Sequence, residues 1–191
     1  MASMGRRVII LNGRNAMQER QGNTSVAALI RTQRATRKYR QQAVAEADIR
    51  IILDAGRRAQ SANNKQPWTF MVVRDAERLH LLSEGGRSTD QIAGAAFAIA
   101  IATARTGAED DFDLGQAAAY LQLVAWDLGI GSCIAWIHYP EKVSQALHLP
   151  VGLNCPVVLS FGYSMPQEVP QPPKEGRRKP FDEVVRWESW D

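Results

Sequence analysis

The stretch "DLGQAAAYLQLVAWDLGIGS", residues 113–132, combines a long apolar helix pattern with a stop signal. Residues 114–129 are apolar around most of the helical circumference, which predicts a helix buried on more than one side, in a large core or between subunits. Gly129 stands where a helix C-terminus favours a left-handed residue, and Asp113 can cap the first turn. The sequence therefore predicts a central helix followed by a buried strand.

Shorter patterns on both sides of this helix complete the domain. A buried strand is expected at "FAIAIAT", 97–103, and an acidic loop with solvated Asp110 and Asp111 should link it to the central helix. Other strands are expected at 69–73, 132–137 and 155–163. Helices are expected at 24–33, 46–60, 75–84 and 141–149. Asn23 or Thr24 can serve as the cap of the first of them. The order α-α-β-α-β-α-β-α-β predicts an α+β fold in one domain, 24–191.

Both ends of the chain differ from this pattern. Residues 1–23 are rich in Asn, Gly, Gln and Arg and read as a flexible or irregular leader. Residues 164–180 contain five prolines and predict an extended arm laid along a surface. The tail that follows carries two tryptophans, Trp187 and Trp190, that need burial somewhere.

The bulk composition limits the classes of function. The chain has 191 residues, 45% of them apolar and 23% charged, as in a globular protein. Its apolar runs are shorter than the roughly 20 residues of a membrane span, so a cytoplasmic protein without a membrane partner is expected. Cys133 and Cys155 form no CxxC pair and predict two buried thiols. The histidines lack ligand-like spacing, so no metal site is expected.

Positive charge is concentrated in two short segments. "RTQRATRKYR", residues 31–40, holds five cations, and "KEGRRKP", residues 174–180, holds four. Residues 1–40 carry a net +8, and because the whole chain carries +3 the rest sums to −5. A nucleic-acid module is disfavoured because Tyr39 is the one aromatic residue of the first segment. The two segments are either solvated surface or a site for one anion such as phosphate.

Side chains that could act as nucleophile and base are not arranged together in the sequence. Ser61 has no histidine nearby in sequence, and "GIGS" is a lone GxG that the end of the central helix already explains. Few acids and bases beside a strong anion site suggest that a bound phosphorylated cofactor does the chemistry.

Four motifs in register identify that cofactor by resemblance. They are "QRATRKY" at 33–39, "SANNKQPW" at 61–68, the central stretch 113–132, and "FGY…RRKPFDEVV" at 161–185. Together they resemble the nitroreductase family of FMN-dependent oxidoreductases over roughly residues 24–188. The resemblance implies an intertwined homodimer with a mixed central sheet flanked by helices and an extended C-terminal arm around the partner. It also implies FMN at the subunit interface, NADH or NADPH as electron donor, and a small-molecule acceptor such as a nitroaromatic or a quinone.

The resemblance assigns roles to the first basic segment. Arg34 would meet the FMN phosphate, and Arg37 would lie nearer the ribityl chain and the N1–C2=O edge of the ring. Gln33 and Ala35 occupy the positions where the family usually has Arg and Ser, so one charge and one hydroxyl are missing.

Further roles follow from the other motifs. Ser61, Ala62 and Asn64 would contact the isoalloxazine or ribityl group, although Gln60 replaces the family's usual proline. The backbone at Ala135, Trp136 and Ile137 would pass close to flavin N5. Arg178, with Arg177, would close the phosphate site from the C-terminal end. Flavin N5 would be the reacting atom, so no catalytic side chain is expected.

Two alternatives stay open beside a nitroreductase-like oxidoreductase. One is a flavin-binding sensor or store with little turnover. The departures from the family pattern at Gln33 and Ala35 would be the sequence evidence for it. The other is a relative with dehalogenase or flavin-fragmenting chemistry. The short segments 75–96 and 104–112 favour an open, unselective site.

Overall fold

In the computed structural model, which describes residues 25–104, 107–168 and 178–190, helices and strands follow the predicted order. The helices are α1 (Val26–Thr32), α2 (Glu46–Gly56), α3 (Ala76–Ser83), α4 (Ala108–Asp127), α5 (Pro140–Leu147) and α6 (Phe181–Val184). The strands are β1 (Thr69–Val73), β2 (Phe97–Thr103), β3 (Gly131–Trp136) and β4 (Asn154–Gly162). The α+β class is confirmed, whereas the leader 1–23 and most of the proline-rich arm lie outside the described residues.

The sheet has the order β1-β2-β4-β3, and all three strand pairs are antiparallel. A mixed sheet was expected, but parallel pairing within the described ranges is limited to an isolated bridge between Ala35 and Ser132. The reason is the position of β4. Strands β2 and β3 run in the same direction around α4, as a βαβ unit requires, but β4 lies between them and pairs antiparallel with both.

The sheet separates two apolar clusters because alternate strand residues point to opposite faces. On one face, Phe97, Ile99 and Ile101 of β2 pack with β4, α2 and α4. On the other face, the small side chains of Ala98 and Ala100 leave room for α3 and α5. The two phenylalanines of the first face, Phe97 and Phe161, stack with ring centroids 4.8 Å apart. A helix layer therefore covers each face of the sheet.

The central helix α4 begins earlier than its sequence pattern predicts. It starts at Ala108 after Gly107, so the segment expected to be an acidic loop forms its first turn. Acidic side chains in the first turn stabilise a helix because they lie next to the positive end of its dipole. Asp110 and Asp113 are buried, not solvated, and Asp113 lies inside the helix instead of capping it. The predicted end is confirmed, because Gly129 follows Leu128 with φ of +74°.

The first helix, α1, is capped by Ser25, one or two residues later than the expected Thr24 or Asn23. The Ser25 hydroxyl accepts a hydrogen bond from the Ala28 N–H at 3.2 Å. The apolar residues Val26 and Ile30 of α1 point outward, away from the core. In the C-terminal segment, Trp187 and Trp190 are also exposed in the single protomer, where the sequence predicts burial.

Candidate functional site

Residues 33–40 of the first basic segment leave α1 and lie across one end of the sheet. Ala35 forms a parallel bridge with Ser132 at the start of β3, and the Thr36 N–H donates to the Ser132 carbonyl at 2.9 Å. Farther on, Tyr39 bridges Ser164, just after β4. Thr36 and Tyr39 are buried, so the residues between and beside them face outward. Ala35 and Arg37 are thereby held at the beginning of β3.

Arg34 is half-buried at the C-terminus of α1. Its Nη1 donates hydrogen bonds to the carbonyls of Arg31 at 2.7 Å and Gln33 at 2.6 Å. These contacts place a cation at the negative end of the helix dipole. A guanidinium has five N–H donors, so this side chain retains donors for a further acceptor. Gln33 is the C-cap of α1, and its backbone N–H donates to the Leu29 carbonyl.

The Tyr39 hydroxyl anchors the basic segment to β4. It donates to the Thr36 carbonyl at 2.6 Å and lies 2.8 Å from Ser160 Oγ, where either hydroxyl can be the donor. Burial raises the pKa of Tyr39 well above its usual range; the hydrogen bond with Ser160 and the charge of Arg37 oppose the shift. The phenol is therefore neutral, and it fixes the backbone next to Arg37.

We expect folding stability to fall in alkaline solution because of Tyr39. Its pKa is raised in the folded state, so the folded protein binds the phenolic proton more tightly than the unfolded chain does. The stabilisation is complete below the unfolded pKa of about 10 and declines above it, by at most about 1.4 kcal/mol per pH unit. Urea unfolding of wild type and Tyr39→Phe between pH 8 and 11 measures this slope. The variant should show the shallower decline, and equal slopes would contradict the assignment.

Both cysteines are buried thiols, as predicted. Burial raises the pKa of Cys133, partly offset by Arg37, and raises that of Cys155 to about 12. Neither is a thiolate at neutral pH, so neither is a ready nucleophile.

The second motif forms a tight turn, residues 61–66, that begins with Ser61 and Ala62. Asn64 is exposed there, and its side-chain oxygen accepts from Gln66 Nε2 at 3.2 Å. Ser61 Oγ accepts from the Gln66 N–H at 3.0 Å, and the Ala62 N–H donates to Asp113 Oδ2 of α4 at 2.9 Å. The turn is therefore tied to the central helix.

The third group of predicted residues lies at the far end of β3. Ala135 and Ile137 are buried, whereas the Trp136 side chain is 57% exposed. Among the described strands, β3 pairs only with β4, so it forms one edge of the sheet. The start of this strand carries the basic segment, and its end carries the residues expected near N5. One strand thus connects the two predicted subsites.

The remaining predicted residues are less constrained. Arg178 is exposed in the C-terminal segment, and Arg177 lies outside the described residues. Sequence reasoning missed Thr36, Ser132 and Asp113, because their roles come from contacts distant in sequence. Within the described ranges, no helix is long and apolar enough to cross a membrane, and no group of three His, Cys, Asp or Glu side chains could hold a metal.

Comparisons with known proteins place the chain in a family. The model of the nitroreductase family matches residues 30–91 and 83–163. An Archaeoglobus fulgidus protein named "Putative NADH dehydrogenase/NAD(P)H nitroreductase" is 33% identical over 144 residues, covering 71% of this chain and 83% of its own.

Two solved structures share the fold. An FMN-dependent nitroreductase from Clostridium difficile is 25% identical, with a TM-score of 0.77 over 85% of this chain and 98% of its own. A Desulfovibrio desulfuricans protein in complex with FMN is 26% identical, with a TM-score of 0.74 over 87% of this chain and 98% of its own. The family match and the shared fold lead to one conclusion: this chain belongs to the nitroreductase family.

Proposed function

We propose that the protein is an FMN-dependent oxidoreductase that takes hydride from NADH or NADPH and reduces a small acceptor such as a nitroaromatic or a quinone. The observation that carries this proposal is the basic segment bridged to the start of β3, with Arg34 and Arg37 beside it. The relatives support it, since one structure is an FMN-dependent nitroreductase and another contains FMN.

The length of β3 is compatible with FMN. From Ser132 to Trp136 the strand advances four residues, or about 13 Å at about 3.3 Å per residue. A ribityl phosphate chain and its ring can lie along that length, with the phosphate at the cationic end. Bound FMN would supply the redox chemistry, since its N5 position accepts and donates hydride.

The protein residues would bind and orient the cofactor. Arg34 holds the phosphate, and Arg37 supplies positive charge near the N1–C2=O edge, which becomes anionic on reduction. Arg178 closes the phosphate site, and Arg177 is proposed for the same role. Gln33 and Ala35 line this end with their backbone.

The ring end of the site is formed by different elements. The backbone of Ala135, Trp136 and Ile137 would pass close to N5, and the exposed indole of Trp136 would offer an apolar surface to an aromatic acceptor. Ser61, Ala62 and Asn64 contact the ring or the ribityl group, from the partner subunit in a homodimer.

Exposed apolar side chains support the homodimer. Val26 and Ile30 of α1, Phe112 of α4, and the tail residues Trp187 and Trp190 are all exposed in one protomer, Phe112 to 74%. Apolar side chains exposed in such number are typical of association surfaces. Light scattering after size exclusion should give about twice the chain mass of 21.2 kDa. A monomeric mass would contradict the interface.

A titration with two flavins tests the cofactor assignment. FMN should bind at least about 100-fold more tightly than riboflavin, because two or more charge-assisted hydrogen bonds to phosphate each contribute about 1.5–3 kcal/mol. Quenching of flavin fluorescence measures both affinities. If the two flavins bind equally, the basic segment does not hold the phosphate. If neither binds, the proposed function fails.

A further inference from the structure

The 61–66 turn stores backbone strain. Asn63, Asn64 and Gln66 all have positive φ, at 52°, 56° and 50°. The left-handed region is unfavourable for residues with a Cβ atom. Asparagine tolerates it better than glutamine does. Such strain persists where the surrounding structure enforces it, and it is concentrated at functional sites.

Hydrogen bonds within the turn hold part of this conformation. The Asn64 N–H donates to the Ser61 carbonyl at 3.0 Å, and the Lys65 N–H donates to the Ala62 carbonyl at 3.0 Å. These bonds close the turn but do not fix its position relative to the rest of the protein.

The contact that ties the turn to the core is the hydrogen bond from the Ala62 N–H to Asp113 Oδ2, at 2.9 Å. Asp113 is only 4% exposed and lies on α4 between the buried residues Asp110 and Leu114. A buried carboxylate is costly unless it is hydrogen-bonded, so this acceptor is held in a fixed place. Charge-assisted bonds of this kind are about twice as strong as neutral ones.

We propose that Asp113 is a positioning residue for the flavin: its buried carboxylate holds the strained 61–66 turn so that Ser61 and Asn64 meet the ring and ribityl group. This inference rests on the proposed function, because it concerns the same cofactor. Asp113 acts through the turn and does not touch the flavin. It therefore affects the ring end of the site and leaves the phosphate contact of Arg34 unchanged.

The experiment compares Asp113→Ala, Asp113→Asn and wild type in the full chain. Asp113→Ala should speed amide hydrogen exchange at residues 62–66 and weaken FMN binding by about 10- to 100-fold. It should weaken riboflavin binding by the same factor, since riboflavin lacks only the phosphate. Asp113→Asn keeps an oxygen acceptor but loses the charge that strengthens the bond, so it should lower both affinities by a smaller factor, only several-fold.

The control for general destabilisation is Leu82→Ala, in the apolar cluster on the opposite face of the sheet. It should lower the melting temperature and leave both flavin affinities within about threefold of wild type. If Asp113→Ala exchanges faster yet binds FMN as wild type does, the positioning role is wrong and the cofactor assignment stands.

Two further outcomes are also decisive. If Asp113→Ala does not fold, Asp113→Asn decides: an affinity lowered by several-fold for both flavins supports the role, and unchanged affinities overturn it. If wild type binds no FMN, the proposed function fails together with this inference.

Discussion

Replacing both Arg34 and Arg37 by alanine should weaken FMN binding by about 10²- to 10⁴-fold. Each guanidinium is expected to make a charge-assisted hydrogen bond to the cofactor, and one such bond contributes about 1.5–3 kcal/mol. Fluorescence titration with FMN measures the loss. Riboflavin affinity should fall by a smaller factor, about 10- to 100-fold, because riboflavin lacks the phosphate assigned to Arg34 but keeps the ring edge assigned to Arg37.

The matched control is the double variant Arg57→Ala/Arg58→Ala. It also removes two positive charges, but at the end of α2, where Arg57 and Arg58 form exposed ion pairs with Asp54. Exposed pairs of this kind contribute at most about 1 kcal/mol to stability, and FMN binding should not change. Equal FMN affinities in the two double variants would place the phosphate elsewhere on the protein.

The second large effect is expected at Gly131, the first residue of β3. A Cβ atom there would lie 2.7 Å from Thr36 Cβ and 2.9 Å from Ser164 Oγ, too close for either contact. Gly131→Ala should therefore push the basic segment away from the strand and destabilise the fold by about 1–3 kcal/mol. FMN affinity should fall as well, since Arg34 and Arg37 move with the segment. Urea unfolding and the FMN titration measure the two effects.

Gly94→Ala is the control for this prediction. An added Cβ atom at Gly94 meets no atom of the described residues within 4 Å. Stability and FMN affinity should both stay close to wild type. If Gly131→Ala behaves in the same way, the close approach of the basic segment to β3 is not needed for cofactor binding.

The sequence predicts the secondary structure well because its signals are local. "FAIAIAT" is a continuous apolar run, and it forms the buried central strand β2. The stretch "DAERLHLLSE" forms α3 as predicted, and Asp75 caps it, since its carboxylate accepts from the Arg78 N–H at 2.9 Å. Gly129 ends α4 where expected.

Contacts between distant segments could not be predicted in this way. The pairing of β4 between β2 and β3 depends on packing of whole layers, and no local pattern encodes it. The start of α4 was missed because Gly107 provides no side-chain cap, although the acids of its first turn are a usual helix signal. Asp113 was taken for a cap, and its bond to Ala62, 51 residues away in sequence, appears only in the folded chain.

The candidate site is described by local sequence motifs together with contacts between distant segments of the fold. By resemblance, the motifs predict that Arg34, Arg37 and the 61–66 turn bind the cofactor. The fold adds the bridge from Ala35 to Ser132 and the Tyr39 anchor, which explain why the cations stand at the start of β3.

Anaerobic reduction of the bound flavin tests the central claim most directly. Purified protein loaded with FMN should show a two-banded flavin spectrum that bleaches when NADH or NADPH is added, and the more effective donor identifies the preference. Addition of a quinone should then restore the colour. A bound flavin whose spectrum persists with both donors would contradict the oxidoreductase and favour a flavin store or sensor.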